Sequence, residues 1–418
     1  MPEEGYTPMQ AKMEAMRCLM CADAPCTCNC PAGVDARSFI RKIRFDNLDG
    51  AARMLRGGNV LAGSCAYICP TGTSCASECT SSDLSTPIDI SGLQRYVMDW
   101  ERQENAFSPA SHVMDKSPVA VIGSGPAGLG CAAELALRGH PVTIFEADDI
   151  FGGMLRQCIP SFRLPTEVVD FEVDLIGKLG VEFVAKKRID NPKELLKDKF
   201  KAVFIGTGLH RSKGGDLIGD DIPGVYQALD FLREAKKGKM PEVGKRALII
   251  GGGDTALDAA RVAKRSGAES FIIYRRTQTE MPAYPNEVED AWHEGVEFYF
   301  RILPRGVVGT DKVKGLRCVR IKWHSDPSGR AKSYDVEAQE FTIDCDSVIL
   351  AIGQDPESLF GLRATPNGFI AIGKDSFKTS ENGIFAAGDV TYGGGTAARA
   401  VGMGKLAAIE INEYLTNK

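Results

Sequence analysis

Nine of the thirteen cysteines lie between Cys18 and Cys79 and form two closely spaced groups. The first group has the spacing C-x2-C-x4-C-x3-C, with Cys28 as an additional thiol, and the second has C-x3-C-x5-C-x3-C. Cysteines at such spacings hold iron-sulfur clusters, because a short loop presents three thiolates and a distant residue supplies the fourth ligand. Each group also contains a Cys-Pro pair, as ferredoxin-type runs do. The pattern predicts two clusters.

Two other uses of the cysteines are less consistent with the sequence. Disulfides need an oxidising compartment, but the first residues, 1–11, are polar and acidic and lack the basic and apolar regions of a secretory signal. Structural zinc usually has two C-x2-C pairs or Cys/His pairs. Here only Cys18 and Cys21 have that spacing, and no histidine precedes His112.

Length and charge bound the class of protein. The 418 residues are enough for two or three domains. No apolar run reaches the ~18 residues of a membrane span. The net charge is −5 with both signs interspersed, and no basic block suggests a nucleic acid partner. We therefore expect a cytoplasmic protein that binds neither membranes nor nucleic acids.

A first nucleotide-binding pattern runs from the apolar stretch 118–122 through a glycine-rich turn and a helix to a second apolar stretch, 142–145. Its predicted contact residues are Gly123, Ser124, Gly125, Pro126, Ala127, Gly128 and Glu146. Glycines at these positions allow a tight turn, a close approach of backbone to pyrophosphate, and close packing of helix on strand. The helix N-terminus offers free N–H groups to the phosphates. Glu146 stands where an acid accepts hydrogen bonds from ribose hydroxyls.

The pattern recurs after the apolar stretch 247–250. Its predicted contact residues are Gly252, Gly253, Asp254 and Thr255. No acid ends the second strand, and Arg275 and Arg276 stand in its place. Two guanidinium groups suit the 2′-phosphate of NADP through charge-assisted hydrogen bonds. The alternative is a solvated basic strand end.

Later segments complete the pattern of a flavoprotein that binds two nucleotides. Strand-then-glycine segments at 204–208 and 349–353 are typical of crossings between a flavin domain and an inserted nicotinamide domain. The run 384–389 looks like the second FAD fingerprint of disulfide-reductase-like flavoproteins, in which the aspartate binds the flavin. A helix predicted over 397–415 would stabilise negative charge on reduced flavin through its N-terminus.

We therefore predict an α/β fold in which an N-terminal α-helical iron-sulfur domain precedes two Rossmann-like nucleotide-binding domains, for FAD and for NAD(P)H, the second inserted in the first. The predicted boundaries are 1–112 for the helical domain, 113–242 and 344–418 for the FAD domain, and 243–343 for the NAD(P)H domain.

Taken in order, the cysteine groups, both glycine turns and the segments 152–155 and 159–165 resemble the glutamate synthase small-subunit type of flavoprotein. Within that group, segments 21–26, 69–71 and 87–94 are similar to the amino-terminal half of dihydropyrimidine dehydrogenase and to the corresponding bacterial flavin and iron-sulfur subunit. The resemblance extends over essentially all 418 residues.

The resemblance implies specific ligands. One 4Fe-4S cluster would be bound by Cys18, Cys21, Cys26 and Cys79, and a second by Cys30, Cys69, Cys75 and the amide oxygen of Gln94. Cys28 and Cys65 would not be ligands, and the alternative for Gln94 is a surface helix residue. FAD would lie against Gly123 to Gly128, Glu146, Gly152, Gly153, Met154, Arg163, Ala387, Gly388, Asp389 and Thr396. The nicotinamide cofactor would lie against Gly252, Gly253, Asp254, Thr255, Arg275, Arg276, Ala351, Ile352 and Gly353.

Two departures from the family bear on chemistry. The bacterial members are described as NAD-dependent, whereas the Arg275-Arg276 pair resembles the long enzyme that uses NADPH, so we expect NADPH with NADH as the alternative. Cys158 lies near the flavin loop, but no second cysteine is close enough in sequence for a redox pair. We expect packing roles for this residue and for the other late cysteines, which are Cys131, Cys318 and Cys345.

The long dehydrogenase reduces pyrimidine in an FMN-containing barrel, and such a barrel needs about 250 residues. The 418 residues leave no room for it. The resemblance therefore implies an electron-input subunit that oxidises NAD(P)H at FAD and passes electrons through the clusters. Its expected partner is a separate FMN- and iron-sulfur-containing subunit that reduces uracil or thymine to 5,6-dihydropyrimidines, in a hetero-oligomer.

No acid or base catalyst is predicted, because hydride transfer depends on stacking and alignment. Two alternatives to the pyrimidine-reducing assignment stay open. The chain could serve as the NADPH-oxidising small subunit of glutamate synthase or of a ferredoxin-linked transhydrogenase. It could also be a flavin-based redox sensor without turnover.

Overall fold

The computed structural model describes residues 5–106, 114–213, 217–325 and 331–417. Its cysteine-rich region is helical. The α-helices of this region are α1 (Pro8–Arg17), α2 (Pro25–Cys28), α3 (Ala36–Arg44), α4 (Leu48–Gly58), α5 (Ala62–Ile68) and α6 (Ile90–Glu104). Two short 3-10 helices, Thr71–Thr73 and Thr80–Asp83, lie between α5 and α6.

Side-chain caps and one apolar core fix these helices. Asp35 Oδ1 accepts a hydrogen bond from Ser38 N at 3.0 Å and so caps α3, and Asp89 caps α6 in the same way. The apolar helix faces bury Phe39 and Leu93 completely. The partly buried cysteines Cys18, Cys26, Cys30, Cys75 and Cys79 pack against this core. The core therefore positions members of both cysteine groups.

The first Rossmann-like sheet begins after residue 114. Its first elements are β1 (Val119–Ile122), α7 (Pro126–Leu137), β2 (Val142–Phe145), α8 (Met154–Gln157), α9 (Thr166–Lys178), β3 (Glu182–Val184), α10 (Pro192–Lys197) and β4 (Ala202–Ile205). Strand β1 is buried at every position and pairs in parallel with β2 and β4. Continuous burial of this kind is typical of parallel strands that helices cover on both faces.

The second Rossmann-like sheet lies in the following segment. The elements there are β5 (Arg211–Ser212), β6 (Val225–Gln227), α11 (Ala228–Lys236), β7 (Arg246–Ile250), α12 (Asp254–Arg265), β8 (Glu269–Tyr274), α13 (Pro285–His293), β9 (Glu297–Phe300), β10 (Ile302–Gly309), β11 (Val313–Ser325), β12 (Ala331–Val336), β13 (Phe341–Asp344), β14 (Ser347–Leu350) and β15 (Gln354–Asp355). The parallel strand order is β6-β14-β7-β8-β9. Strand β11 pairs antiparallel with β10, β12 and β13.

The chain then returns to the first sheet through β16 (Ile384–Ala386), α14 (Asp389–Tyr392) and α15 (Ala397–Thr416). The completed order is β16-β4-β1-β2-β3, with all neighbours parallel. The predicted α/β architecture, with a helical region ahead of two Rossmann-like domains and the second inserted in the first, is confirmed.

Contacts divide the chain into two units. One comprises Met1–Gln157, Ser161–Leu209 and Pro356–Lys418, and the other comprises Cys158–Pro160 and His210–Asp355. These units group residues by contact, so the predicted boundaries of the domains that bind each cofactor stay a prediction. Within the described ranges, no helix is both long enough and apolar enough to cross a membrane.

Candidate functional site

The four cysteines assigned to the first cluster line one cavity. Cys18 ends α1, Cys21 lies in the next loop, Cys26 lies in α2 and Cys79 precedes the second 3-10 helix. The other lining residues are Leu19, Ala24, Pro25, Arg37, Glu78, Thr80, Ser81 and Ile88. In the described part of the chain, no three Cys, His, Asp or Glu side chains form the tight arrangement of a single-ion site. Four thiols around one cavity are the number of thiolate ligands that a 4Fe-4S cluster takes.

Two arginines donate hydrogen bonds to backbone carbonyls of the segment Cys18 to Ala22. Arg37 donates hydrogen bonds to Cys21 O at 3.1 Å and to Ala22 O at 2.8 Å. Arg44 donates to the carbonyl oxygen of Cys18. The sequence analysis missed both residues, because the spacing of residues does not reveal which carbonyl a side chain reaches.

The thiols assigned to the first cluster are crowded. Burial raises the pKa of Cys18, and the nearby thiols of Cys79 and Cys21 raise it further. Burial likewise raises the pKa of Cys26, with Cys18 and Cys79 adding to the effect. Neighbouring thiolates repel one another. Bound iron is ligated by thiolates, and its positive charge offsets that repulsion. The four residues therefore fit a 4Fe-4S cluster.

The cysteines assigned to the second cluster are also neighbouring thiols. Burial, followed by the proximity of Cys30, raises the pKa of Cys75 to about 11. A hydrogen bond with Cys65 and burial raise the pKa of Cys69, and Cys75 and Cys30 contribute as well. Cys65, which we left outside the ligand set, is thus a further buried thiol beside the three proposed ligands. In the first group, by contrast, the non-ligand Cys28 is exposed.

Gln94 lies on α6 and is only 8 % exposed, so the surface-residue alternative is wrong. Its Nε2 donates a hydrogen bond to Ala62 O at 2.6 Å, at the start of α5. Cys69 lies at the other end of the same helix. Because the amide nitrogen is engaged, the carbonyl oxygen is the atom that Gln94 can offer to a cluster. Its role as a ligand stays a prediction.

Two cysteines assigned to the second cluster, Cys30 and Cys69, pack against α15, the helix that follows the flavin fingerprint. Cys30, Cys65, Cys69, Ala32, Ala397 and Ala398 form one small cluster. Further along α15, a Cβ added to Gly402 would collide with Pro31 O. Lys405 Nζ donates hydrogen bonds to Ala32 O at 3.1 Å and to Gly58 O. The cysteine loop and α15 are therefore in direct backbone contact.

A buried ion network joins α9 to the helical region. Glu172 is fully buried and accepts hydrogen bonds from Gly63 N at 2.7 Å, Ser64 N at 3.0 Å and Ser64 Oγ at 2.5 Å. Arg56 donates to Glu172 at 2.5 Å and to Glu101 at 2.6 Å. Burial opposes the charge of Arg56, but the two carboxylates hold its pKa above the usual value. The start of α5 is thereby anchored to the flavin region.

The first glycine turn has the form that a pyrophosphate needs. Gly123 has φ +96°, and a Cβ on Gly128 would collide with Gly123 O. A Cβ on Gly125 would instead enter open space, so the backbone at this position is accessible to a ligand. Pro126, which has no N–H, and Ala127 begin α7, and the N-terminus of such a helix offers unpaired N–H groups to an anion. These residues fit FAD.

Glu146 orders the turn in addition to its expected role toward ribose. Its Oε2 accepts hydrogen bonds from Ser124 N at 3.0 Å and Ser124 Oγ at 2.6 Å. Ser124 O in turn accepts from Gly152 N at 3.1 Å. A Cβ on Gly153 would lie 2.7 Å from Gly125 Cα. The predicted segment 152–154 therefore lies against the first glycine turn.

The second flavin fingerprint also lies against the first glycine turn and the start of α7. A Cβ on Gly388 (φ +80°) would lie 2.8 Å from Ala127 Cβ, so this segment packs on α7. Asp389 begins α14, and burial raises its pKa to about 6, although a hydrogen bond from Gly395 N and the charge of Arg399 lower it. Three of the predicted flavin segments thus meet.

The remaining flavin residues lie at the ends of elements. Thr396 caps α15, and Ala387 N donates to Ile205 O at 3.2 Å, at the end of β4. Met154 begins α8, and Arg163 lies in the turn before α9. The cysteines expected to serve packing, Cys131, Cys158, Cys318 and Cys345, are all buried.

The second glycine turn meets the second crossing segment. A Cβ on Gly251 (φ +150°) would collide with Ala351 O, and Gln354 Nε2 donates to Thr255 Oγ1 at 3.2 Å. Gly252 packs on the ring of Tyr274. Gly253 is the N-cap of α12, Asp254 begins that helix, and Ile352 and Gly353 follow Ala351. The structure thus brings together the predicted residues of both segments.

Arg275 and Arg276 directly follow β8. Arg275 is exposed and Arg276 is half-buried. Both guanidinium groups lie over the ring of Trp323 on β11, and neither forms an ion pair with a carboxylate in the described part of the chain. Hydrogen bonds from Thr277 lower the pKa of the Glu280 carboxyl, and the charge of Arg276 lowers it further without direct pairing. Sequence analysis missed Trp323, because its neighbours in sequence give no nucleotide-binding signal.

Comparisons with known proteins agree with this geometry. Residues 117–404 match the family described as pyridine nucleotide-disulphide oxidoreductase, and residues 2–106 match the one described as dihydropyrimidine dehydrogenase domain II, 4Fe-4S cluster. The chain belongs to the pyridine nucleotide-disulphide oxidoreductase family and carries this 4Fe-4S domain at its N-terminal end. The predicted cofactor types, FAD, NAD(P)H and 4Fe-4S, are confirmed by these two matches.

Individual proteins are similar to this chain over most of its length. The chain is 37 % identical to the Escherichia coli NAD-dependent dihydropyrimidine dehydrogenase subunit PreT, over 99 % of this chain and 98 % of that one. It is also 37 % identical to the Geobacter sulfurreducens NADPH-Fe(3+) oxidoreductase subunit beta, over 94 % of this chain but only 64 % of that protein. The predicted family resemblance is confirmed. Among solved structures, Mycobacterium tuberculosis FprA has the same fold, with a TM-score of 0.62, 18 % identity and coverage of 72 % of this chain and 85 % of that one.

Proposed function

We propose that this chain is the electron-input subunit of a pyrimidine-reducing enzyme. It oxidises NADPH at FAD and passes the electrons through two 4Fe-4S clusters to a separate subunit, which contains FMN and iron-sulfur centres and reduces uracil or thymine to 5,6-dihydropyrimidines. The observation that carries the proposal is the packing of Cys30 and Cys69 on Ala397 and Ala398, because this joins the proposed ligands of the second cluster to the helix after the flavin fingerprint. The match to PreT over nearly all of both chains supports the choice of substrate.

The residues of the chain bind and orient its cofactors. Bound FAD accepts a hydride and releases single electrons, which is the chemistry that the clusters require. The open backbone at Gly125 receives the pyrophosphate, and Asp389 and the N-terminus of α15 hold the flavin end. No acid or base is assigned, because hydride transfer depends on alignment of the two rings.

NADPH rather than NADH is the proposed donor. The Geobacter relative is named for NADPH and the PreT relative for NAD, although each is 37 % identical to this chain, so overall similarity does not decide the donor. The pair Arg275 and Arg276 supports NADPH, since charge-assisted hydrogen bonds to a 2′-phosphate favour it over a hydroxyl.

A second candidate shares the input chemistry but has another partner. The Geobacter similarity favours this candidate, because that relative is named for the reduction of Fe(3+). The Halomonas elongata glutamate synthase (NADPH) small chain, 33 % identical over 99 % of this chain and 92 % of that one, favours a glutamate synthase large subunit as such a partner, and a ferredoxin is the alternative.

Anaerobic reconstitution decides between the candidates. The chain alone should reduce artificial dyes with NADPH and leave uracil unchanged, whereas addition of an FMN- and iron-sulfur-containing pyrimidine-reducing subunit should give dihydrouracil. Cys26→Ala should abolish uracil reduction and spare hydride reduction of FAD, and Cys28→Ala, at an exposed cysteine outside the cavity lining, is the matched control. Uracil reduction by the isolated chain would contradict the proposal. Activity only with a glutamate synthase large subunit would favour the second candidate.

A further inference from the structure

Trp323 lies beneath both arginines that follow β8. The Cζ atoms of Arg275 and Arg276 are 5.9 Å and 5.5 Å from the centroid of its ring. The indole Nε1 also donates a hydrogen bond to Arg275 O at 2.7 Å. One side chain thus contacts the guanidinium groups of both arginines and the backbone of one.

Backbone hydrogen bonds fix the position of Trp323 relative to the arginines. Arg301 N donates to Arg276 O at 3.1 Å, and Ile321 N donates to Arg301 O at 2.9 Å, two residues before Trp323 on β11. The ring of Tyr334, the cross-strand partner on β12, packs edge-on against the indole at 5.3 Å. The indole is therefore held from β12 as well as from the end of β8.

A guanidinium over an aromatic face keeps its N–H donors directed outward in the plane of the group. Arg276 Nε is buried and has no hydrogen-bond partner in the described part of the chain. The nearby carboxylate of Glu280 is already engaged, because its Oε2 accepts hydrogen bonds from Thr277 N and Thr277 Oγ1. The arrangement thus holds both guanidinium groups against one indole, and neither forms an ion pair with a carboxylate in the part of the chain that the structure describes.

We propose that Trp323 is a specificity-determining residue that positions Arg275 and Arg276 for the 2′-phosphate of NADPH. This inference rests on the assignment of the arginine pair to NADPH in the proposed function. Trp323 itself does not contact the reacting atoms, so it acts through the arginines. Loss of Trp323 should weaken the binding of nucleotides that carry a 2′-phosphate and leave the binding of nucleotides without one unchanged.

The test uses adenosine 2′,5′-bisphosphate and 5′-AMP, titrated calorimetrically into the full chain. Trp323→Leu should weaken the binding of the bisphosphate about fivefold to tenfold and leave the affinity for 5′-AMP unchanged, as expected for the loss of two cation-π contacts. Trp323→Phe keeps an aromatic face and should retain most of the preference. Trp292→Leu is the matched control, because Trp292 is 58 % exposed and packs on Phe298. Arg275→Ala combined with Arg276→Ala sets the upper limit of the effect.

Kinetics provide a second readout. In Trp323→Leu the KM for NADPH should rise about fivefold to tenfold, while kcat and the KM for NADH stay constant. Equal weakening of both nucleotides, or no change in either, would overturn the role of Trp323. If the unaltered chain binds both nucleotides equally, the NADPH assignment fails together with this inference, while the electron-input function stands. Should Trp323→Leu fail to fold, Trp323→Thr gives the same comparison with a residue suited to a strand.

Discussion

Asp389 shows how one residue of the flavin site makes stability depend on pH. Burial raises its pKa to about 6, above the ordinary value of 3.8. An acid with a raised folded-state pKa favours the folded state when it is protonated, so the flavin-free chain should gain stability as pH falls from about 6 towards 4. Asp389→Asn should therefore raise the melting temperature at about pH 7.5 and change it little at about pH 4.5.

Thermal denaturation of the flavin-free chain measures this difference. Asp375→Asn, at an exposed position, is the control and should have no effect at either pH. An equal change in melting temperature at both pH values would show that the carboxylate of Asp389 is not the titrating group.

Other residues mark what the sequence could and could not reveal. Gly123 and Gly128 were predictable because a tight nucleotide turn requires glycine at fixed spacing, whatever the rest of the chain does. Arg37, Glu172 and Trp323 were not, because each acts on backbone or side chains that are distant in sequence. Local chemical requirements are visible in a sequence, and long-range partners are visible only in the fold.

The same distinction holds among the elements. The helix predicted from residue 397 to 415 is observed as Ala397–Thr416, because Thr396 caps its start. The antiparallel strands β10 to β13 carry no glycine-turn motif, so we predicted no antiparallel pairing for this segment.

Helix α9 contacts the cysteine region, and its buried Glu172 makes the hydrogen bonds and the ion pair of that contact. Glu172→Ala would leave the buried Arg56 with one fewer carboxylate and the first N–H groups of α5 without an acceptor. Removing one partner of a buried ion pair costs about 3 to 5 kcal/mol, and we expect a loss of that size in the free energy of unfolding. Urea denaturation of the full chain measures it.

Glu167→Ala, on the exposed face in the first turn of the same helix, is the control. It should change stability by less than about 0.5 kcal/mol. Equal effects of the two substitutions would show that the ion network does not stabilise the unit. Glu172→Ala should also lower the iron content, because α5 leads directly to Cys69.

At the scale of the whole molecule, eight proposed ligands define the metal content. The anaerobically purified chain should contain about eight iron and eight acid-labile sulfide ions and no stoichiometric zinc. Cys26→Ala should reduce the iron content to about four, because the first cluster would keep only three of its four proposed ligands and would be lost. Colorimetric iron and sulfide analysis, with Cys28→Ala as the control, checks this. About four iron ions in the unaltered chain would contradict the assignment of a second cluster.

The close approach of α15 to the cysteine loop has a consequence for inheritance. Because Gly402 leaves no room for a side chain above Pro31 O, and Glu172 satisfies the start of α5, each region is shaped to the other. A recombined gene that joined this helical region to an unrelated flavoprotein would leave a buried arginine without one of its carboxylates and an alanine surface uncovered. The two regions should consequently have been transmitted as one evolutionary unit, and successful grafts should have to carry the glycine and the glutamate along with the cysteines.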